Sequence, residues 1–461
     1  MSLFSLLNIA RDGLQAQSAG VTVSGQNVTN ANTPGYVRRR VLLETRTAGS
    51  GSDGGVNYRG IQRTFNSLAF GRVVVEHGRQ GAASARAAAL NEVQATVTPT
   101  SGTIADRVNS FFAAFDSLSA TPSDTSARLA VLQQASALAD QVSGTANDLQ
   151  TQRADLLTQA QGVAGEVNQR LERIATLNTQ IAEATGRGDA GADLRDQRDL
   201  LVQEVSDRIG ARSIEDSKGQ VTLFAAGTVL VEGGNASSIS VNLDPANNLQ
   251  LMVQHPGGAA VDATTGLTEG TLGGIREARD TDIPATQNSL DQFAFDLSNT
   301  VNAAHAAGFG LDGVTGRNLF TAPAVVAGAA RNMAVNAAVA GQPERIAASA
   351  TAADLPGGNA VALQIANFAT SALGAGTSTP SSRVASIESD VGVRVQAATN
   401  EQQLRDDTVH QAETLRDSSE GVSLDEEMAN LSQFQRAFEA STRVLQVADQ
   451  LLAGLLAPGA V

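Results

Sequence analysis

The chain has no cysteine, which excludes disulfides, thiolate metal sites and cysteine nucleophiles and makes it indifferent to the redox state of its compartment. Tryptophan is absent as well. Aromatics amount to only 3% of residues against a hydrophobic content of 42%, so much of the apolar count is alanine. Alanine favours slender helices over one bulky core. Positive charge is scarce too: the formal net charge is −15, which argues against nucleic acid, because phosphate binding needs a basic face. The short cluster Arg38-Arg39-Arg40 reads as a solvated or subunit-contact patch. No apolar run reaches the ~18 residues that span a bilayer, so membrane insertion is not expected. Arg11-Asp12 interrupts the first apolar run, which has no basic segment before it. If the protein leaves the cell, it is expected to do so without a standard secretory signal.

Catalytic patterns are missing in the same way. His77, His255, His305 and His410 are dispersed without metal-ligand spacing, and each is expected on the surface or in a loop. Gly308-Phe309-Gly310-Leu311-Asp312-Gly313 matches a dinucleotide fingerprint, but it follows a helix rather than a strand. No zinc-protease, nucleophile-elbow or phosphate-loop pattern occurs. The reading is a protein that is not an enzyme and carries no cofactor or metal.

What the chain does have is a helical seam at each end. Leu7, Leu14, Val21 and Val28 recur every seven residues at the front. At the back, Leu424, Met428, Leu431, Phe434, Phe438, Leu445 and Leu452 step by threes, fours and sevens. Such spacing sets apolar side chains in one stripe, and a seven-residue repeat keeps the stripe facing a partner. The ends are therefore expected to bind each other and neighbouring subunits. Asn30-Ala31-Asn32-Thr33-Pro34-Gly35-Tyr36 closes the first helix, since the residue before proline avoids the helical region and glycine supplies a turn. A turn does not need Asn-Ala-Asn before it, so a role in subunit contact or export recognition stands beside the simple helix stop.

Between the ends the pattern predicts a mainly α chain with an inserted small antiparallel β domain. Extended segments and loops are expected over 37–65, around the flexible run Gly49 to Gly55. Helix resumes near Ser67 and continues through Ile104, Val108, Phe111, Phe115 and Leu118. A helix of unusual length starts at Thr121-Pro122-Ser123-Asp124, with proline at its first position, and runs to about Thr185. Its buried stripe is Val163, Val167, Leu171, Ile174 and Ile181. Asp193 to Leu201 opens the next helix. Period-two alternation such as Val221/Leu223, Ile239/Val241 and Leu249/Leu251/Val253, broken by glycine turns, then marks the β insert. Helix returns at about Pro284, is ambiguous over 308–360, and is expected again from Ser382. Ser423 and Glu426 form a capping box for the last helix, where Asp425, Glu426 and Glu427 are read as a simple helix start. The domains expected are 1–60 with 421–461, a terminal coiled coil; 61–210 with 270–420, a long-helix middle; and 211–269, the β insert.

The two end motifs, Gly25 to Tyr36 and Gly421 to Leu431 followed by Gln435-Arg436-Ala437-Phe438-Glu439-Ala440-Ser441, resemble those of the flagellar axial proteins that build rod, hook and hook–filament junction. Either could arise alone; together and in this order they are highly specific. Three internal segments are similar to the hook-associated junction members of that family rather than to rod or hook proteins. They are Leu194 to Asp199, Gly270 to Ile275 leading to Val301-Asn302, and Gly308 to Gly316 with Asn318-Leu319-Phe320. The resemblance thins over 211–269 and 321–380, and Phe438 stands where the family often has tyrosine. It implies an elongated multi-domain subunit whose terminal helices line a tube. It further implies export as an unfolded chain through the flagellar export apparatus with an export chaperone. Assembly would follow as a ring of copies of itself between the hook protein and the second hook–filament junction protein, outside the cell. The alternative is another axial component, a hook or rod protein.

Overall fold

The computed structural model describes residues 3–46, 54–374 and 376–456. Residues 49–53 of the glycine-rich run and the outermost ends of the expected terminal domain therefore lie outside the described residues. Helix α1 (Leu3–Asn30) leads into an antiparallel hairpin, β1 (Arg39–Arg46) and β2 (Gly55–Arg63), paired from Arg39↔Arg63 to Arg46↔Gly55. The domain boundary expected at residue 60 falls inside β2. Helices α2 (Ser67–Val97), α3 (Ile104–Ala120), α4 (Thr125–Gly186) and α5 (Ala192–Ile209) follow.

Local chemistry sets these limits. The Asn66 side chain accepts from the Leu68 and Ala69 amides to start α2, and Thr103 and Asp106 form a reciprocal capping box on α3. The expected start of the long helix is corrected. Asp124, not Thr121, is its N-cap, accepting from the Ser126 amide at 2.8 Å, while Thr121 closes α3 and Pro122 lies between the two helices. Along α4, Val167, Leu171, Ile174 and Ile181 are fully buried and Val163 is packed partly buried against the same core.

The β insert has seven strands: β3 (Arg212–Glu215), β4 (Val221–Ala225), β5 (Thr228–Glu232), β6 (Asn235–Ala236), β7 (Ser238–Leu243), β8 (Leu249–Gln254) and β9 (Ala260–Asp262). They form a four-stranded sheet, β3-β4-β5-β6, and a three-stranded sheet, β7-β8-β9, all antiparallel. Two asparagines of α4 hold both sheets by acting as strand surrogates. Asn168 exchanges hydrogen bonds of 2.8 and 2.7 Å with the Ile239 backbone. Buried Asn178 accepts from the Val221 amide at 2.9 Å and donates to the Val221 and Gly233 carbonyls.

Helix returns at α6 (Gly270–Glu277), earlier than expected, and passes through a π turn at Ala278–Asp282 into α7 (Ile283–Ala307). Proline at the second position of α7 is therefore accommodated inside a continuous helical path rather than starting it. The glycines of α6 permit close approach: a Cβ on Gly274 would lie 2.1 Å from the Ala82 carbonyl oxygen of α2. The segment after α7 is irregular up to α8 (Ala360–Asn367), and it is pinned by side chains. Asn302 pairs with both backbone groups of Phe320, and Arg128 donates to the Pro122 and Ile346 carbonyls. Phe111 packs against Phe112, Phe115 and Phe320, which gathers scarce aromatic bulk in one place.

His305 corrects its expected surface position. It is buried on α7, with Nδ1 2.7 Å from the Arg317 carbonyl and Nε2 accepting from the Ala347 amide at 3.0 Å. Nδ1 is therefore the protonated nitrogen, and the chain closes around a neutral ring. Helix α9 (Pro380–Glu420) runs back along α2, and α10 (Leu424–Leu456) completes the chain beside α1.

Candidate assembly interface

Helices α1 and α10 lie antiparallel. A Cβ on Gly13 would meet the Ser441 hydroxyl at 3.2 Å, and one on Gly20 would meet the Phe434 ring at 2.5 Å. Seven residues forward on one helix thus match seven back on the other. The contact is made of small residues. Between α10 and the hairpin, α1 buries Ser5, Ala10, Asp12, Ala16, Gly20, Val23, Ser24 and Asn27, and Ala448 is fully covered on α10.

The expected seam residues flank that contact. Leu7, Leu14, Val21 and Val28 are half-buried, as are Leu431, Leu445 and Leu452. Leu424, Met428 and Phe438 are exposed.

The motif after α1 is a folded joint. Asn30 donates to the Gln26 carbonyl at 3.0 Å, and Thr33 donates its amide to the Asn30 carbonyl at 2.9 Å and its hydroxyl to Asn30 Oδ1 at 3.2 Å. Gly35 takes the left-handed φ of 77°, which allows the backbone to turn onto α5 beside Leu200. Ala31, Asn32, Thr33, Pro34 and Gly35 line a groove of about 660 Å³ whose other wall is the α9–α10 elbow, including Arg416, Glu420 and Val422. Tyr36 turns inward. Its hydroxyl donates to Asn27 Oδ1 at 2.8 Å, and burial pushes its pKa up to about 12, against the pull of Arg39. Asn27 also exchanges hydrogen bonds with the Arg39 backbone.

The expected solvated arginine patch is corrected for Arg38 and Arg39, while Arg40 is exposed. Arg39 is buried, stacks over the Tyr36 ring at 4.8 Å, and donates to Asp193 at 2.6 Å and Asp196 at 2.8 Å. Arg63, from the paired end of β2, reaches Asp196 and Asp199 at 2.8 Å. Three acids at helical spacing on α5 thus capture two arginines of the hairpin. Burial raises the pKa of Asp196 even though Arg63 and Arg39 both pull it down. For Arg39, burial opposes the charge, and the hydrogen bonds to Asp196 and Asp193 outweigh it. Arg38 pairs with Glu426 and Glu427 at 2.8 Å, so the acids that start α10 also tie the two ends of the chain together. Asn27, Arg63 and the acid row of α5 were not singled out as a site by sequence. The i, i+3, i+6 spacing of Asp193, Asp196 and Asp199 is the one signal that pointed to a shared face.

Among the described residues, no group of three or more His, Cys, Asp or Glu side chains is placed to hold a metal, and no helix is long and apolar enough to cross a membrane.

The family model for the flagellar hook-associated protein FlgK helical domain matches residues 90–320, half of the chain. The chain belongs to the FlgK family. Residues 417–457, which include α10, also match the C-terminal model of the flagellar basal body rod FlgEFG proteins, so the FlgK-type middle is joined to an end shared with rod proteins. Flagellar hook-associated protein 1 of Bacillus subtilis is 28% identical, with 98% of this chain and 97% of the relative covered. The Salmonella typhimurium protein of the same name is 28% identical over 69% of this chain. That match spans 59% of the relative's length. Among solved structures, the flagellar hook junction protein FlgK from Burkholderia pseudomallei superposes with a TM-score of 0.50 at 25% identity, over 54% of this chain and 46% of that one. A mainly helical FlgK-family chain with an antiparallel β insert is therefore the fold in hand.

Proposed function

We propose that this chain is a structural subunit of the bacterial flagellum that forms the junction between hook and filament. The observation that carries the reading is the FlgK helical-domain match over residues 90–320, inside a chain that aligns along almost all of a relative named flagellar hook-associated protein 1. The hook or rod alternative is not favoured, because the part shared with rod proteins is confined to residues 417–457. A structural role also agrees with the chemistry of the ends: α10 keeps Leu424, Met428 and Phe438 in solvent after pairing with α1.

In this reading residues 1–60 and 421–461 form an inner coiled-coil layer, 61–210 with 270–420 the middle, and 211–269 the outward part. The seam Leu7, Leu14, Val21, Val28, Leu424, Met428, Leu431, Phe438, Leu445 and Leu452 is where copies meet. The chain travels unfolded through the export apparatus with a chaperone and assembles outside the cell as a ring between the hook protein and the second junction protein. The motif Asn30 to Tyr36, of which Ala31 to Tyr36 line the groove beside the α9–α10 elbow, is a further subunit contact or an export-recognition element.

Deleting the gene tests this. Intact hooks with flagellin shed into the medium are the expected result. Cells without hooks would move the protein down to hook or rod, and normal filaments would contradict the reading.

A further inference from the structure

Helix α5 interleaves two pairs of charged residues, Arg195 with Arg198 and Asp196 with Asp199, each pair spaced by three so that its members sit on neighbouring turns. The carboxylates take the arginines of the hairpin. The arginines reach the other way, to the β insert. Arg198 is fully buried and pairs with Asp199 at 2.8 Å and with Glu215 of β3 at 2.9 Å. It also donates to the Gly219 carbonyl, in the turn between β3 and β4, at 2.7 Å. Arg195 pairs with the second oxygen of Glu215.

These contacts join into one line of alternating charge. Asp196 gives one oxygen to Arg39 and the other to Arg63. Asp199 gives one oxygen to Arg63 and the other to Arg198. Glu215 then links Arg198 to Arg195. The line runs without a gap from the hairpin, across α5, to an edge strand of the β insert. Its middle members are dry: the side chains of Arg63, Asp199 and Arg198 are 7%, 8% and 0% exposed. Water therefore does not replace a lost partner there, and an unmatched buried charge costs far more than a broken surface pair. Without Arg63, Asp199 keeps only Arg198, and the buried guanidinium is drawn toward it, away from Glu215 and the Gly219 carbonyl.

We propose that this ion ladder couples the seating of the hairpin to the order of the β3–β4 turn. Loss of the Arg63 link loosens a turn that Arg63 does not touch. Because coupling between two sites is reciprocal, weakening Glu215 loosens the hairpin in return. The ladder is then a contiguous physical connection between the terminal part of the chain and its β insert, and a disturbance at either end is felt at the other.

Hydrogen exchange on the purified full-length protein reads both ends. The turn is reported by the Asp216 amide, which donates to the Gln220 carbonyl at 2.9 Å, and by the Gln220 amide, which donates to Asp216 Oδ1 at 2.8 Å. The hairpin is reported by the Thr64 amide, which donates to the Arg38 carbonyl at 2.8 Å. Arg63→Met is expected to quicken exchange at Asp216 and Gln220 by about fivefold or more, and Glu215→Gln to quicken Thr64 by a similar factor. Asp199→Asn breaks the same link more mildly and is expected to act as Arg63→Met does, in case that variant fails to fold. Arg59→Ala, on the same strand but paired with Glu44 outside the ladder, is expected to leave the turn unchanged. The Ala263 amide, which donates to the Leu251 carbonyl in the second sheet at 2.9 Å, controls for general destabilisation. Unchanged exchange at Asp216 and Gln220 in the folded Arg63 or Asp199 variant would overturn the proposal. So would equal quickening at Ala263, or a loosened turn without the reciprocal change at Thr64.

Discussion

Arg39 and Asp196, 157 residues apart in sequence, meet at 2.8 Å with both side chains almost wholly out of solvent. Asp196 also receives Arg63, so one carboxylate of α5 holds both ends of the hairpin pairing Arg39↔Arg63. The terminal part of the chain is thereby bolted to the middle by buried ion pairs. Asp196→Ala leaves two buried guanidinium groups short of a partner, and its expected cost is about 3–5 kcal/mol. Asp193, whose side chain is 80% exposed, is expected to contribute no more than about 1 kcal/mol when replaced by Ala. Denaturant unfolding of both variants checks this; equal losses would contradict the assigned roles.

The α1–α10 contact depends on the absence of a side chain at Gly20, because a Cβ there would sit 2.5 Å from the Phe434 ring. Gly20→Val is expected to part the terminal helices and expose them to limited proteolysis while the middle helices stay protected. Gly25 has nothing within 4 Å of a Cβ position, so Gly25→Ala is expected to be neutral or to stabilise by about 0.5–1 kcal/mol. Proteolysis unchanged in Gly20→Val would contradict the close crossing.

Asn178 holds the β insert to α4 through three hydrogen bonds to backbone groups of Val221 and Gly233. Asn178→Leu strands those groups, and the expected cost is about 2–4 kcal/mol. Hydrogen exchange at the Val221 amide reads it locally. Protection equal to the parent protein would refute the bond.

Burial lowers the pKa of His305 from 6.5 to about 4, against the hydrogen bond to the Arg317 carbonyl. As pH falls below the ordinary value the unfolded chain takes up the proton first, so stability present above pH 6.5 is lost on acidification toward the folded value. The loss is on the order of 3 kcal/mol at most. Unfolding midpoints at neutral and acid pH, with and without His305→Gln, measure it. A His305 ring that titrates near its ordinary value by NMR would contradict the burial.

The parts of the fold legible in the sequence were those with a period. Leu171, Ile174 and Ile181 repeat at helical spacing, and Val221/Leu223 and Leu249/Leu251 alternate, so both the long helix and the β insert could be read. The continuous α6–α7 path is hidden because glycine is a poor helix former; the close approach of Gly270 to α5 and of Gly274 to α2 exists only in three dimensions. Asn178 and His305 look like surface residues in isolation, and only their long-range backbone partners make them interior. The terminal seam was half legible. Leucine and valine heptads mark the stripe, whereas the close approach of α1 to α10 runs through Gly13 and Gly20, which no apolar count highlights. Arg38 and Arg39 were misread for the related reason that their acids lie on distant elements.

Thiol protection in the assembled flagellum tests the central claim most directly, that the terminal helices meet neighbouring copies while the β insert faces outward. Met428→Cys and Val261→Cys place single thiols at positions that are 56% and 49% exposed in the free subunit. Both are predicted to react readily with a maleimide in the purified protein. In isolated flagella Val261→Cys is predicted to react as before and Met428→Cys to be strongly protected. Equal labelling of the two in flagella would contradict the account.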